Sequence, residues 1–307
     1  MIRPSFLVFA SASAVGSQFV QALQTQRDLS LAAVGGDLRA ELAFWALRQA
    51  GGREDFAETA SGEEAGLFWQ GFFPLGEEWT PWSEQETPPR VILFLEPPVT
   101  AMRAWHHALL AASLENKVSF REALVAEEPR RDGREWPRRN PYPPSLQYRQ
   151  RARFATLIGQ AREAVGSERV KVLLSEDWEK DPAAVGREVL AFLGKSPDHE
   201  LAIPPLPPQR NLRGTHHFDQ AVSRLAGRLP GGRVLKSVFG KTWQDRYQAL
   251  SERIFAPMSD WRIDSMVEDE LLEEFQPEVR ALGELLGRDL SHWNEPRFPR
   301  SEHHHEH

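Results

Sequence analysis

Apolar positions along the chain alternate between short unbroken runs and stretches with helical spacing. Phe6-Leu7-Val8-Phe9-Ala10 is such a run and reads as a buried parallel strand. A small-residue stretch from Ser11 to Ser17 follows, and Phe19, Val20 and Leu23 then fall at helical spacing. A P-loop-like strand–loop–helix unit is predicted there. Leu38 to Gln49 carries an apolar set of Leu38, Leu42, Phe44, Trp45 and Leu47, which predicts a helix stopped at Gly51-Gly52. Gly71 to Pro89 is loop-like. Arg90 to Leu95 is the clearest buried strand, ended by Pro97-Pro98, and a helix is expected from about Val99 to Leu114.

Glu127 to Pro144 has no periodicity and is expected to be an exposed polar connector. A long helix is predicted from Ser145 to Val165, a third strand over Val170 to Leu174, and a helix from Pro182 to Leu193 with Gly194 as its cap. Beyond Pro197 a proline-rich loop (Ile203 to Pro208) gives way to helices at Asp219–Leu229, Gln244–Phe255 and Pro277–Leu286. Strands alternating with helices imply an α/β fold, a central parallel sheet flanked by helices with a helical C-terminal portion. Residues 1–300 are expected to form one domain, and 301–307 a frayed, His-rich tail.

Composition narrows the function classes. The 307 residues include no cysteine, which removes disulfides, thiolate metal sites and thiol nucleophiles. Thirty-seven Lys and Arg against 44 Asp and Glu give a formal net charge of −7, a poor match to nucleic acid. No run approaches the roughly 20 apolar residues of a membrane helix. Met1-Ile2-Arg3, the following apolar run and Ala10-Ser11-Ala12 outline a leader peptide. Four strongly apolar residues are short for one, so an internal strand and a cytoplasmic location are expected.

Several residues carry candidate chemistry. A loop ending in Gly16 and Ser17 before a helix can present backbone donors to an anion, or can be a plain turn with an N-cap. Glu41 is either a general base among the aromatic neighbours Phe44 and Trp45 or a surface residue of an amphipathic helix. Arg213-Gly214-Thr215 is a basic glycine-containing loop, and Tyr148 is a helix-start aromatic. Arg130, Arg131, Arg134, Arg138 and Arg139 with Trp136 form a dense cationic stretch, diluted by Glu127, Glu128, Asp132 and Glu135 into an expected solvated loop. His106-His107 is a poor chelate, because adjacent helical residues point about 100° apart. No metal site is expected.

The order of these pieces resembles the sulfotransferases that use 3′-phosphoadenosine 5′-phosphosulfate, especially the carbohydrate (heparan-type) and bacterial branch. Phe6 to Leu23 is similar to the unit that cradles the donor's 5′-phosphate. Ala40-Glu41-Leu42-Ala43-Phe44-Trp45 looks like the family's Lys-Glu-x-x-Phe-Phe segment. Gly66-Leu67-Phe68-Trp69 with Phe72-Phe73-Pro74 resembles its Gly-Leu-x-Trp-Tyr…Phe-Pro stretch. Leu93 to His107 is similar to the strand and helix that grip the 3′-phosphate. Ser119-Phe120-Arg121-Glu122-Ala123-Leu124 matches Ser-Phe-x-Glu-Ala-Leu. Tyr148, Ser175-Glu176-Asp177, Asp181-Pro182 and Leu286 to Trp293 follow in the family's order.

The resemblance implies that Gly16, Ser17, Arg213, Gly214 and Tyr148 touch the nucleotide donor, that Glu41 is the base, and that a saccharide or small hydroxylated molecule is the acceptor. It also exposes four departures. Ala14, Ala40 and Ala104 stand where the family has two cations and a serine, and Glu96 stands where its 3′-phosphate Arg belongs. A carboxylate facing a phosphate is repelled by roughly 4 kcal/mol for unit charges 4 Å apart in an intermediate dielectric. Two expectations follow: a divergent sulfotransferase with a degraded donor site, or a non-catalytic homologue that serves as a binding or assembly partner. A P-loop kinase fits less well, because the loop has no Lys-Ser/Thr pair.

Overall fold

The computed structural model describes residues 4–26, 29–33, 38–49, 65–196, 201–206 and 265–296. The run at the start of the chain becomes β1 (Phe6–Ala10), every residue of which is buried. It leads into α1 (Ala14–Gln24), then β2 (Ser30–Ala33), α2 (Leu38–Gln49) and β3 (Ala65–Gln70). A 3₁₀ turn and the one-turn α3 (Thr80–Ser83) precede β4 (Arg90–Leu95) and α4 (Pro98–Ala111). Short helices α5 (Phe120–Val125), α6 (Glu127–Arg131) and α7 (Tyr148–Arg151) lead to α8 (Phe154–Val165) and β5 (Val170–Leu174). After β5 come α9 (Ser175–Lys180), α10 (Pro182–Phe192) and α11 (Ser265–Leu286), then a closing 3₁₀ turn at Ser291–Asn294.

All pairings are parallel, in the order β2-β3-β1-β4-β5. The central strands alternate between two cores. Leu7, Phe9, Val91, Leu93 and Leu95 face a core shared with α2, α4, α8 and α11. Phe6, Val8, Ile92 and Phe94 face one shared with α1, α9 and α10, where the Phe19 ring stacks on Phe94 at 4.4 Å. Each fully buried Leu, Ile or Phe contributes about 1.5–3 kcal/mol, so burial on both faces holds β1 and β4 in the middle of the sheet. The chain leaves β1 for one edge and returns past it to β4. The carboxyl ends of β1 and β4 therefore flank a topological switch point, where open α/β sheets bind ligands.

Four expectations need correction. The short β2 and β3 were not anticipated as strands. Gly66 weakens the strand signal in β3, yet a Cβ there would come within 2.2 Å of the Phe6 ring. The segment from Glu127 to Pro144 is not an exposed connector: it contains α6 and buries Glu127, Arg130, Asn140 and Tyr142. The helix predicted over 145–165 is interrupted at Gln147 (φ −95°, ψ 75°) and Arg153 (φ −80°, ψ 74°). The last helix begins twelve residues before Pro277 and runs through it, because Val267, Leu271, Phe275, Val279 and Leu282 form one continuous buried stripe. The helices expected at Asp219–Leu229 and Gln244–Phe255 lie outside the described residues.

Candidate functional site at the carboxyl ends of the strands

The loop after β1 is built from small residues because the chain must fold back on itself. A Cβ on Gly16 would lie 2.2 Å from the Ser11 carbonyl oxygen, so no larger residue fits there. Ser13 adopts extended backbone (φ −78°, ψ 172°) and caps α1: its Oγ accepts from the Gly16 amide at 2.9 Å. The Ser17 amide and hydroxyl both donate to the Ser13 carbonyl, at 2.9 and 2.8 Å. Gln70, at the end of β3, donates through Nε2 to the Ser17 hydroxyl. Ser11 is 1% exposed, its Oγ lies 3.0 Å from that of Ser13, and it donates to the Glu96 carboxylate. Glu96 follows β4 and is 2% exposed, so this bond spans the switch point between β1 and β4.

Below this loop lies a second polar network. Arg151 is 5% exposed and stacks 4.0 Å over the Phe72 ring. Its Nε donates to the Pro144 carbonyl at 3.0 Å, and Nη1 donates to the Phe73 carbonyl at 2.8 Å. Nη1 and Nη2 also grip Glu78, at 3.1 and 2.8 Å. Glu78 further accepts from the Leu75 amide at 2.6 Å and from the Tyr142 hydroxyl. Burial and the neighbouring Glu78 carboxylate raise the Tyr142 phenol far above its ordinary range.

A third network surrounds Tyr148, which is wholly buried. Its hydroxyl donates to Glu115 at 2.5 Å, and Arg130 holds the same carboxylate with two bonds of 2.8 and 2.6 Å. Burial pushes the Glu115 carboxyl up, but Arg130 and Tyr148 more than offset it and hold it below the usual carboxylate range. The Tyr148 phenol is driven well above its normal value, first by burial and then by Glu115.

Among solved structures the chain is similar to a sulfotransferase from Alicyclobacillus acidocaldarius, with a TM-score of 0.61 and 19% sequence identity over 96% of this chain and 100% of that one. The chain has the sulfotransferase fold. No family model and no curated protein matches it significantly.

In this sulfotransferase fold the positions expected from sequence separate. Gly16 and Ser17 lie in the first turn of α1, which Ala14 opens, after the loop whose Ser11 bonds Glu96, and Ala104 lies on α4, the helix after Glu96. Glu41 is in the first turn of α2 and is 6% exposed, so it is not a surface residue. α2 packs through Trp45 on Trp69 (5.6 Å) and Phe72 (5.0 Å), which lie at and just beyond the end of β3. Tyr148 has its hydroxyl committed to Glu115. Arg213 and Gly214 lie outside the described residues. His106 Nε2 bonds the Lys117 carbonyl at 2.9 Å, and among the described residues no group of three or more potential metal ligands forms. Among them, too, no helix is long and apolar enough to cross a membrane.

Sequence reasoning missed Ser11, Ser13, Glu78 and Arg151. Ser11 and Ser13 were visible as small loop residues without a stated role. Nothing in the spacing of Glu78 or Arg151 marks them, since their partners are 73 residues apart in sequence.

Proposed function

We propose that this sulfotransferase-fold protein has given up the phosphorylated nucleotide donor and works as a binding or assembly partner. The Glu96 carboxylate, buried against Ser11 at the switch point, carries this reading. The resemblance would put a phosphate-binding cation at that position. A dianion brought there meets a negative charge, loses the expected attraction, and finds the Gly16 amide and Ser17 hydroxyl already engaged within the loop. These residues do not fit 3′-phosphoadenosine 5′-phosphosulfate, and no step is derived through it.

The burial of Glu41 beside Trp45 favours a second reading. A carboxylate sheltered on α2 suits a general base for sulfuryl transfer to a saccharide or small hydroxylated acceptor. Calorimetric titration with adenosine 3′,5′-bisphosphate separates the two. The binding reading expects no heat at ligand concentrations of about 1 mM; a dissociation constant of order 1 µM returns the protein to the enzymes.

A further inference from the structure

The stretch from Arg130 to Asn140 is exposed at its tip and anchored at both roots. Arg130, on α6, is sealed against Glu115. Its carbonyl accepts from the Gly133 amide at 3.1 Å and from the Trp136 indole Nε1 at 2.8 Å. The Arg134 amide donates to the Pro129 carbonyl at 2.9 Å. At the other root the Asn140 amide closes a turn on the Pro137 carbonyl at 3.0 Å. Its Nδ2 donates to the Leu114 carbonyl at 3.1 Å and to the Ser145 hydroxyl at 3.0 Å. Between the roots Glu135 holds a left-handed backbone (φ 54°), which non-glycine residues seldom adopt, and its carboxylate pairs with Lys117 at 2.7 Å. A surface loop fixed in this way loses little freedom when it binds.

What the loop presents is aromatic and basic. Trp136 is 49% exposed. Its N–H turns inward to Arg130, so the exposed part of the indole offers apolar ring and no donor. Arg138 and Arg139, both exposed, occupy the two central positions of the Pro137–Asn140 turn, within a few residues of that ring. Arg131 and Arg134 are exposed on the α6 side. Of the exposed acids in the segment, Asp132 pairs with Arg134 at 2.9 Å and Glu135 with Lys117, which leaves Glu128 on α6. The loop therefore carries a basic surplus on a chain whose formal net charge is −7.

We propose that this loop docks an acidic segment of another polypeptide, one that sets an aromatic or branched side chain against Trp136 and carboxylates against the arginines. Arginine forks match carboxylates in bidentate geometry, and Trp and Arg are the side chains that dominate protein–protein contacts. A peptide can space its carboxylates around Glu128, Asp132 and Glu135. A uniform polyanion, whether nucleic acid, sulfated glycan or anionic bilayer, brings charge against those acids as well and meets the repulsion of the whole chain. The proposal goes beyond the donor-free reading and depends on no property of Glu96 or Glu41.

The test is fluorescence polarisation of the full chain with a labelled peptide of alternating glutamate and tyrosine, beside an oligoglutamate of equal charge. The mixed peptide is expected to bind with a dissociation constant of order 10 µM at about 50 mM salt and to weaken at least about tenfold at about 0.5 M. It should exceed oligoglutamate at least about fivefold, a preference that Trp136→Ala erases while oligoglutamate affinity stays unchanged. Arg138→Glu alters an exposed turn position that makes none of the loop's anchoring bonds. It is expected to melt like the wild type and to weaken both peptides at least about tenfold. No polarisation change at about 1 mM protein, or unchanged affinity in folded Arg138→Glu, overturns the proposal. Tighter binding of a heparin fragment, an oligothymidylate of equal charge or phosphatidylserine vesicles overturns it too. So does salt-sensitive self-association that Arg138→Glu abolishes, which assigns the loop to a second copy. A parallel calorimetric titration with adenosine 3′,5′-bisphosphate keeps the two ideas apart. Micromolar nucleotide binding with the peptide still bound defeats the donor-free reading alone; silence from both defeats the docking assignment alone.

Discussion

At the scale of single residues, the loop after β1 is decided by two contacts. The missing side chain of Gly16 lets the Ser11 carbonyl pass at what would be 2.2 Å from a Cβ. Gly16→Ala gains about 1 kcal/mol of helix propensity. It must also push the Ser11 backbone, an overpacking cost of about 1–3 kcal/mol that wins because backbone yields less readily than a side-chain tip. A lower urea midpoint with an unchanged slope is the expected result. The second contact is Ser11 to Glu96. Replacing Glu96 by Arg and Ala14 by Lys removes a repulsion and adds two attractions, each worth a few kcal/mol at most in an intermediate dielectric. The double variant is expected to raise affinity for adenosine 3′,5′-bisphosphate at least about tenfold, read by calorimetry. Flat affinity in a folded double variant means that these two positions do not border a phosphate site.

Among the elements, what the chain discloses depends on where the partners are. β1, β4 and β5 were legible to the residue because strands buried on both faces leave unbroken apolar runs. α2 was legible because Leu38 to Gln49 carries its own spacing. β2 and β3 were hidden, one by its four-residue length and the other by Gly66, whose reason is a ring in a different strand. α7 was hidden for the same physical cause. Gln147 and Arg153 break an otherwise helical pattern where Arg151 is claimed by Phe73 and Glu78, 78 and 73 residues away and outside any local window. Of the polar residues at the carboxyl end of β1 and around α7, Gly16 and Ser17 carried a signal in the sequence, whereas Ser11, Glu78 and Arg151 did not. The inward turn of α7 should therefore depend on its ion pair. Glu78→Leu leaves the Arg151 charge buried without its counter-charge and is expected to cost about 3–5 kcal/mol in urea unfolding. Adding Arg151→Met is expected to recover part of that loss, so the double change costs less than the sum of the singles.

For the whole molecule, two apolar layers clamp one parallel sheet, and the described residues include three buried polar networks: Ser11–Glu96, Arg151–Glu78–Tyr142 and Arg130–Glu115–Tyr148. Networks of this kind make the stability of the fold sensitive to proton uptake and release. Glu115 has a folded-state pKa below its unfolded one, so its contribution is present above the ordinary carboxylate range and fades as pH falls through the lowered value. The alkaline side is governed by the tyrosines. Tyr142 and Tyr148 keep their protons in the folded chain well above their ordinary value of 10.0, held by burial and by Glu78 and Glu115 respectively. In the unfolded chain both release them near that value, so the unfolded state binds fewer protons and stability falls as pH rises. Two such groups set a limiting slope of about 2.7 kcal/mol per pH unit, and one sets about 1.4. Tyr148→Phe loses its bond to Glu115, which lowers stability at neutral pH by about 1.5–3 kcal/mol, a hydrogen bond to a charged group. Above about pH 10 the same variant is expected to lose stability at roughly half the wild-type slope, measured by urea unfolding at stepped pH. An unchanged slope would mean that Tyr148 ionises in the folded chain as readily as in the unfolded one, which a phenol sealed against the Glu115 carboxylate cannot do.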